Sequence, residues 1–117
     1  MAFVSSSSFQ HGTHHPGSRE DILAQIFSVN EQIKRLSWQI QDLTARMQNI
    51  QDPPPPDPAG YRDGSQLANA YKQWLRLIES NQARREELTS DIERRRDALA
   101  QLRNQLRILV EKLNQVR

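Results

Sequence analysis

Residues 67–116 read LANAYKQWLRLIESNQARREELTSDIERRRDALAQLRNQLRILVEKLNQV, and this stretch decides the fold. Its large apolar side chains recur at alternating steps of four and three: Leu67, Tyr71, Trp74, Ile78, Leu88, Ile92, Leu99, Leu102, Leu106, Leu109, Leu113 and Val116. Asn81, Arg85 and Arg95 occupy three positions of the same series with polar groups. A seven-residue repeat keeps a narrow stripe turned toward a partner only if helices wind around each other with a left-handed supercoil. The stretch therefore predicts a long helix, residues 65–117, that needs at least one other helix against it.

That helix is preceded by a second one. Ser18 is placed to cap its free backbone amides, and Glu20 and Asp21 lie where the positive end of a helix favours anions. From there Ile22, Ile26, Val29, Ile33, Leu36, Ile40, Leu43, Met47 and Ile50 repeat by fours and threes without a break. Asp52 precedes Pro53, which disfavours helical geometry, so helix one is predicted over 18–51. At about 1.5 Å per residue it is roughly 50 Å long, and helix two roughly 80 Å. A helix with such a stripe is not expected to be stable alone.

Residues 52–64, DPPPPDPAGYRDG, connect them. Four successive prolines favour polyproline II, Gly60 and Gly64 permit turns, and Asp63 with Gln66 has the spacing of a capping box at the start of helix two. A proline run of this kind also suits the aromatic grooves of SH3 and WW modules, but it has neither the flanking arginine nor a Pro-Pro-x-Tyr, which favours a spacer and turn. Residues 1–17 are rich in Ser, Gly and His, with too little apolar surface to offset the entropy of ordering, and are expected to form a flexible tail. His11, His14 and His15 match no structural zinc spacing, and Ser5 to Ser8 are read as solvated linker rather than as phosphorylation sites.

Taken together, the expected architecture is all-α: two long helices in an antiparallel coiled-coil hairpin. If the connection reverses the chain at the helix ends, equal separations from the turn place Ile50 near Leu67, Leu43 near Trp74, Leu36 near Asn81 and Ile22 near Arg95. The hairpin then ends at about Arg95. Ala98 to Val116 would overhang, and its leucine stripe would join a multi-chain helical bundle. This makes Leu99, Leu102, Leu106, Leu109, Leu113 and Val116 candidate partner-binding residues.

Three further residues join that set. Phe27 and Trp38 lie off the stripe of helix one, eleven residues apart and so at nearly the same angle, which suggests a second face for another helix. Arg85 sits on the stripe of helix two with no acid one turn away. It either reaches out to water along its aliphatic stem or meets an acidic partner helix. Asp91 is in reach of Arg95.

Composition narrows the function classes. The chain has 117 residues, is 36% hydrophobic and 6% aromatic, and carries 16 basic and 14 acidic side chains for a net charge of +2. That is too little apolar material for a thick core. The pI near 9.4 reflects a small arginine excess. The Arg94 to Arg96 cluster is bracketed by Glu93 and Asp97 and does not continue into a basic region, which argues against nucleic-acid binding. Cysteine is absent, no apolar run is long enough to span a membrane, and the first residues lack a secretory pattern, so a cytoplasmic protein is expected, with the nucleus as the other compartment open to it. No phosphate loop, nucleophile context or helical histidine is present, so no enzyme, cofactor, metal or small-molecule substrate is expected.

The plan of helix, long connection and helix looks like that of beta-type prefoldin subunits, but there the connection is a strand hairpin, which the five prolines of residues 52–64 do not suit. The proline-bearing turn followed by Leu67, Ala68, Tyr71 and Trp74 is similar to type III secretion needle and rod subunits and their small helical chaperones, from which the longer, charged second helix departs. Nothing residue-specific carries over. The expected function is a non-enzymatic coiled-coil scaffold or assembly subunit, whose partners are further copies or other coiled-coil subunits. The alternative is a small helical chaperone or adaptor, such as a secretion accessory protein, that shields an amphipathic partner helix.

Overall fold

A computed structural model of the chain describes residues 18–116. His11, His14, His15 and Ser5 to Ser8 lie outside the described residues. Two α-helices, α1 (Arg19–Gln48) and α2 (Gly64–Gln115), are joined by a connection that holds one short 3-10 turn at Pro58–Gly60, and no strand occurs among the described residues. The helices pack against each other as a hairpin.

The helix ends follow from local chemistry. Ser18 caps α1: its Oγ accepts from the Asp21 amide at 3.3 Å and its carbonyl from Ile22 at 2.9 Å. At the other end, the Asn49 amide is shared between the carbonyls of Ala45 and Arg46, and Ile50 bonds back to Met47. This tightening of the last turn satisfies carbonyls that a helix otherwise leaves open, and it stops α1 at Gln48, three residues before the expected end. Asp63 caps α2, its carboxylate accepting from Ser65 at 2.9 Å, so the cap is made to Ser65 rather than to Gln66. Gly60 and Gly64 are not what bends the connection. Asp57 does so, by accepting from Ala59 at 3.0 Å through its side chain and from Gly60 at 3.0 Å through its carbonyl.

The chain forms two compact units. In the first, residues 18–37 of α1 pack on α2 from Asp97 onward. Ile22, Val29 and Leu109 are buried there, with Ile26, Ile33, Leu102, Leu106, Leu113 and Val116 packed around them. The second unit, Trp38–Arg96, holds the rest of α1, the connection and the first part of α2. Its buried side chains are Leu88 and Ile92, and the Thr89 hydroxyl meets Met47 Sδ at 3.4 Å.

These contacts correct the expected register. Ile22 packs beside Leu109 instead of facing Arg95, and the partner of Arg95 is Gln39, whose Oε1 accepts from Arg95 Nε at 3.1 Å. Relative to the expected alignment, α1 has moved about eighteen residues toward the C-terminal end of α2, or roughly 27 Å at 1.5 Å per residue. The overhanging leucine stripe is therefore not bare: α1 of the same chain covers it.

The physical reason lies in the connection. It does not reverse at the helix ends but runs extended along α2, from Ile50, whose carbonyl accepts from Arg85, past Pro53 beside Trp74, and on to Gly64. That path spans about 32 Å of helix at 1.5 Å per residue. The connection itself, from Ile50 to Gly64, covers about 43 Å if laid out as polyproline II at 3.1 Å per residue. The chain is long enough, and the 3-10 turn takes up the slack.

Candidate interaction surfaces

Each polar residue in the stripe of α2 has an oxygen to meet. Asn81 Nδ2 donates to the Gln51 carbonyl and to Asp52 Oδ1, both at 3.1 Å. Arg85 pairs with Asp52 at 3.0 Å and donates to the Ile50 carbonyl at 3.4 Å. Arg95, besides Gln39, donates to the Asp91 carbonyl at 3.4 Å and lies 4.0 Å from its carboxylate. The acid that Arg85 lacks on its own helix is thus Asp52 in the connection, so neither an open arginine nor an acidic partner helix is needed to account for it. The Asn81 amide first, and then Arg85, hold the Asp52 carboxyl below its ordinary value.

The proline run lies on α2 as a strap. Pro53 and Pro56 are half-buried while Pro54 and Pro55 are exposed, the three-residue period of a polyproline II helix with one edge seated. Trp74 Nε1 donates to the Pro53 carbonyl at 2.8 Å, and the Tyr71 ring stands at 90° to the indole with centroids 6.1 Å apart. Beside the strap an open groove of about 290 Å³ is lined by Tyr61, Gln73, Trp74 and Leu77 together with the prolines. Leu67, Tyr71, Trp74 and Ile78 are only half-buried under this cover.

The candidate partner-binding residues divide into two groups. Leu99 and Leu109 are buried and Leu102, Leu106, Leu113 and Val116 half-buried, and all but Leu99 pack in the cluster around Ile22 and Val29. The stripe expected to lack a cover within the chain packs on α1 instead. Phe27 and Trp38, in contrast, are 69% and 68% exposed. Leu23, one turn before Phe27, and Leu75 and Leu77 on α2 are exposed as well.

Sequence reading missed Asp52, Trp74 and the two seated prolines as a group. The signals were present: a carboxylate directly before the proline run, and Pro53 and Pro56 three residues apart. Among the described residues no cluster of His, Cys, Asp or Glu is arranged to hold a metal, and no helix is long and apolar enough to cross a membrane. No family model matches the chain, and no curated protein or solved structure is significantly similar to it.

Proposed function

We propose that the protein is a non-enzymatic assembly subunit, a helical hairpin that packs its outer faces on helices of other chains. The observation that carries this reading is the exposure of Phe27 and Trp38. Side chains of this size contribute large apolar areas when covered, and each stands on α1 away from the contacts that close the hairpin. A hairpin in which six apolar side chains among the described residues are deeply buried has little stability to spare, so covering such residues adds a term comparable with the hairpin's own. The lack of cysteine supports a reducing compartment such as the cytoplasm.

The test is the mass in solution across a dilution series, by light scattering after size exclusion, with helicity followed in parallel. The expected result is a mass above 13.6 kDa that falls on dilution, and a shift to monomer without loss of helicity for Phe27→Ser with Trp38→Ser. A concentration-independent monomer of full helicity overturns the reading for self-assembly, and failure to bind any coiled-coil partner overturns it altogether. The adaptor alternative draws on a different observation. Leu67, Tyr71, Trp74 and Ile78 have the spacing of a helix-binding stripe but lie half-buried under a segment that is not a helix. An adaptor is expected to be a well-folded species alone and to release its partner reversibly.

A further inference from the structure

A polyproline II segment makes no hydrogen bonds within itself, so its carbonyls point outward and are read by donors held beside an apolar face. The N-terminal part of α2 supplies such a donor and face. Trp74 Nε1 donates to the Pro53 carbonyl at 2.8 Å, Tyr71 stands edge-on against the same indole, and Pro53 and Pro56 seat at the three-residue period of the ligand. We propose that this face of α2 is a binding site for acid-led proline-rich segments, filled in cis by Pro53–Pro56 and open to such a segment in trans when the strap lifts.

Three observations carry the step from a strap in place to a site that exchanges it. The strap is held by point contacts, part of them open to solvent: the Asn81 bonds to Gln51 and Asp52 are exposed, the Asp52–Arg85 pair has side-chain exposures of 41% and 28%, a setting in which ion pairs stabilise little, and the Trp74 and Arg85 bonds to the Pro53 and Ile50 carbonyls are part-buried. The groove beside it is open and lined by the exposed Tyr61 and Gln73. Asn81 and Arg85 converge on Asp52, so the site selects a carboxylate immediately before the first proline as well as the prolines themselves. This inference does not rest on the assembly reading, since it concerns a different face and a non-helical ligand.

The probe is a synthetic peptide with the sequence of residues 50–58, IQDPPPPDP, added to the full chain carrying Trp38→Phe, so that Trp74 is the sole indole. Its fluorescence and its indole N–H resonance are followed. In the chain with the strap intact, the tethered segment competes at an effective concentration on the order of millimolar. Replacing Pro53 to Pro56 with Gly and Ser is therefore expected to tighten peptide binding about tenfold or more. Asp52→Asn, which loosens the strap and leaves the prolines, is expected to give a smaller tightening. A peptide with glycine at the four central prolines should not bind. The proposal is overturned by the absence of a saturable response in both variants, by an equal response to the glycine peptide, or by a response confined to an amphipathic helical peptide. Should the proline-replaced chain lose helicity, Asp52→Asn decides by the same criteria.

Discussion

Leu109→Ala separates a stripe covered within the chain from one that waits for a partner. Leu109 is 4% exposed and packs with Ile22 and Val29. Truncating a buried leucine costs about 2–5 kcal/mol, the upper part of that range arising where a rigid cavity remains. Here Leu102, Leu106 and Leu113 around the site are only half-buried, so water and neighbouring side chains can fill the space, and a loss of about 2–3 kcal/mol is expected. The assay is urea denaturation followed by helical circular dichroism at two protein concentrations a hundredfold apart. With a slope near 1 kcal/mol per molar urea, the midpoint should fall by about 2–3 M at both concentrations alike. Leu77→Ala, at a side chain 54% exposed, should stay within about 0.5 kcal/mol of the parent. A Leu109→Ala effect that appears only at the higher concentration, or one below about 0.5 kcal/mol, refutes the intramolecular packing.

The register can be read directly, because the chain has no cysteine of its own. Ile22→Cys with Leu109→Cys should oxidise to an intramolecular disulfide, while Ile22→Cys with Arg95→Cys should not, as a mass shift on a non-reducing gel will report. Asp52 makes stability depend on pH with a definite sign. Its carboxyl is held low by Asn81 and Arg85, so its contribution is present above the unfolded value of about 3.9 and is lost as pH falls through the lower folded value. The stability difference between the parent and Asp52→Asn should accordingly be seen near neutrality and vanish in acid, in denaturation curves taken from pH 6 to pH 2. Asn81→Leu restores an apolar residue to the stripe yet should lower the urea midpoint, because it removes the donor to Gln51 and Asp52. A more stable Asn81→Leu chain would mean that the strap is not anchored there.

The helices and their faces are legible in the sequence because they depend on local terms. Ser18 and Asp63 mark the helix starts, Pro53 forbids continuation, and the alternation of fours and threes identifies the buried edge of each helix. Exposure of Phe27 and Trp38 follows from the same angular arithmetic. Register is a different kind of quantity. Two heptad stripes match at many offsets, so the offset is fixed by the path of the connection and by a few polar contacts across it. Gly60 and Gly64 permit a turn, but four prolines in succession cannot turn tightly, and a rigid segment laid along a helix carries the pairing away from the helix ends.

The three polar residues in the stripe of α2 then gain a common explanation. In the alignment that pairs helix ends, Asn81 would face Leu36 and Arg95 would face Ile22, each a polar group set against an apolar one with no acceptor. In the structure the same two residues meet Gln51, Asp52 and Gln39, and Arg85 meets Asp52 and the Ile50 carbonyl. Each of these bonds stabilises only modestly, but losing several at once, and leaving half-buried polar groups against apolar ones, discriminates between registers whose apolar stripes would otherwise match equally well. The acceptors belong to the connection and to one glutamine of α1, not to the apolar stripe of α1. Asn81, Arg85 and Arg95 therefore weaken α2 as a generic coiled-coil partner while binding the strap and the end of α1 in place, and the interruption of the heptad is what makes one register the stable one.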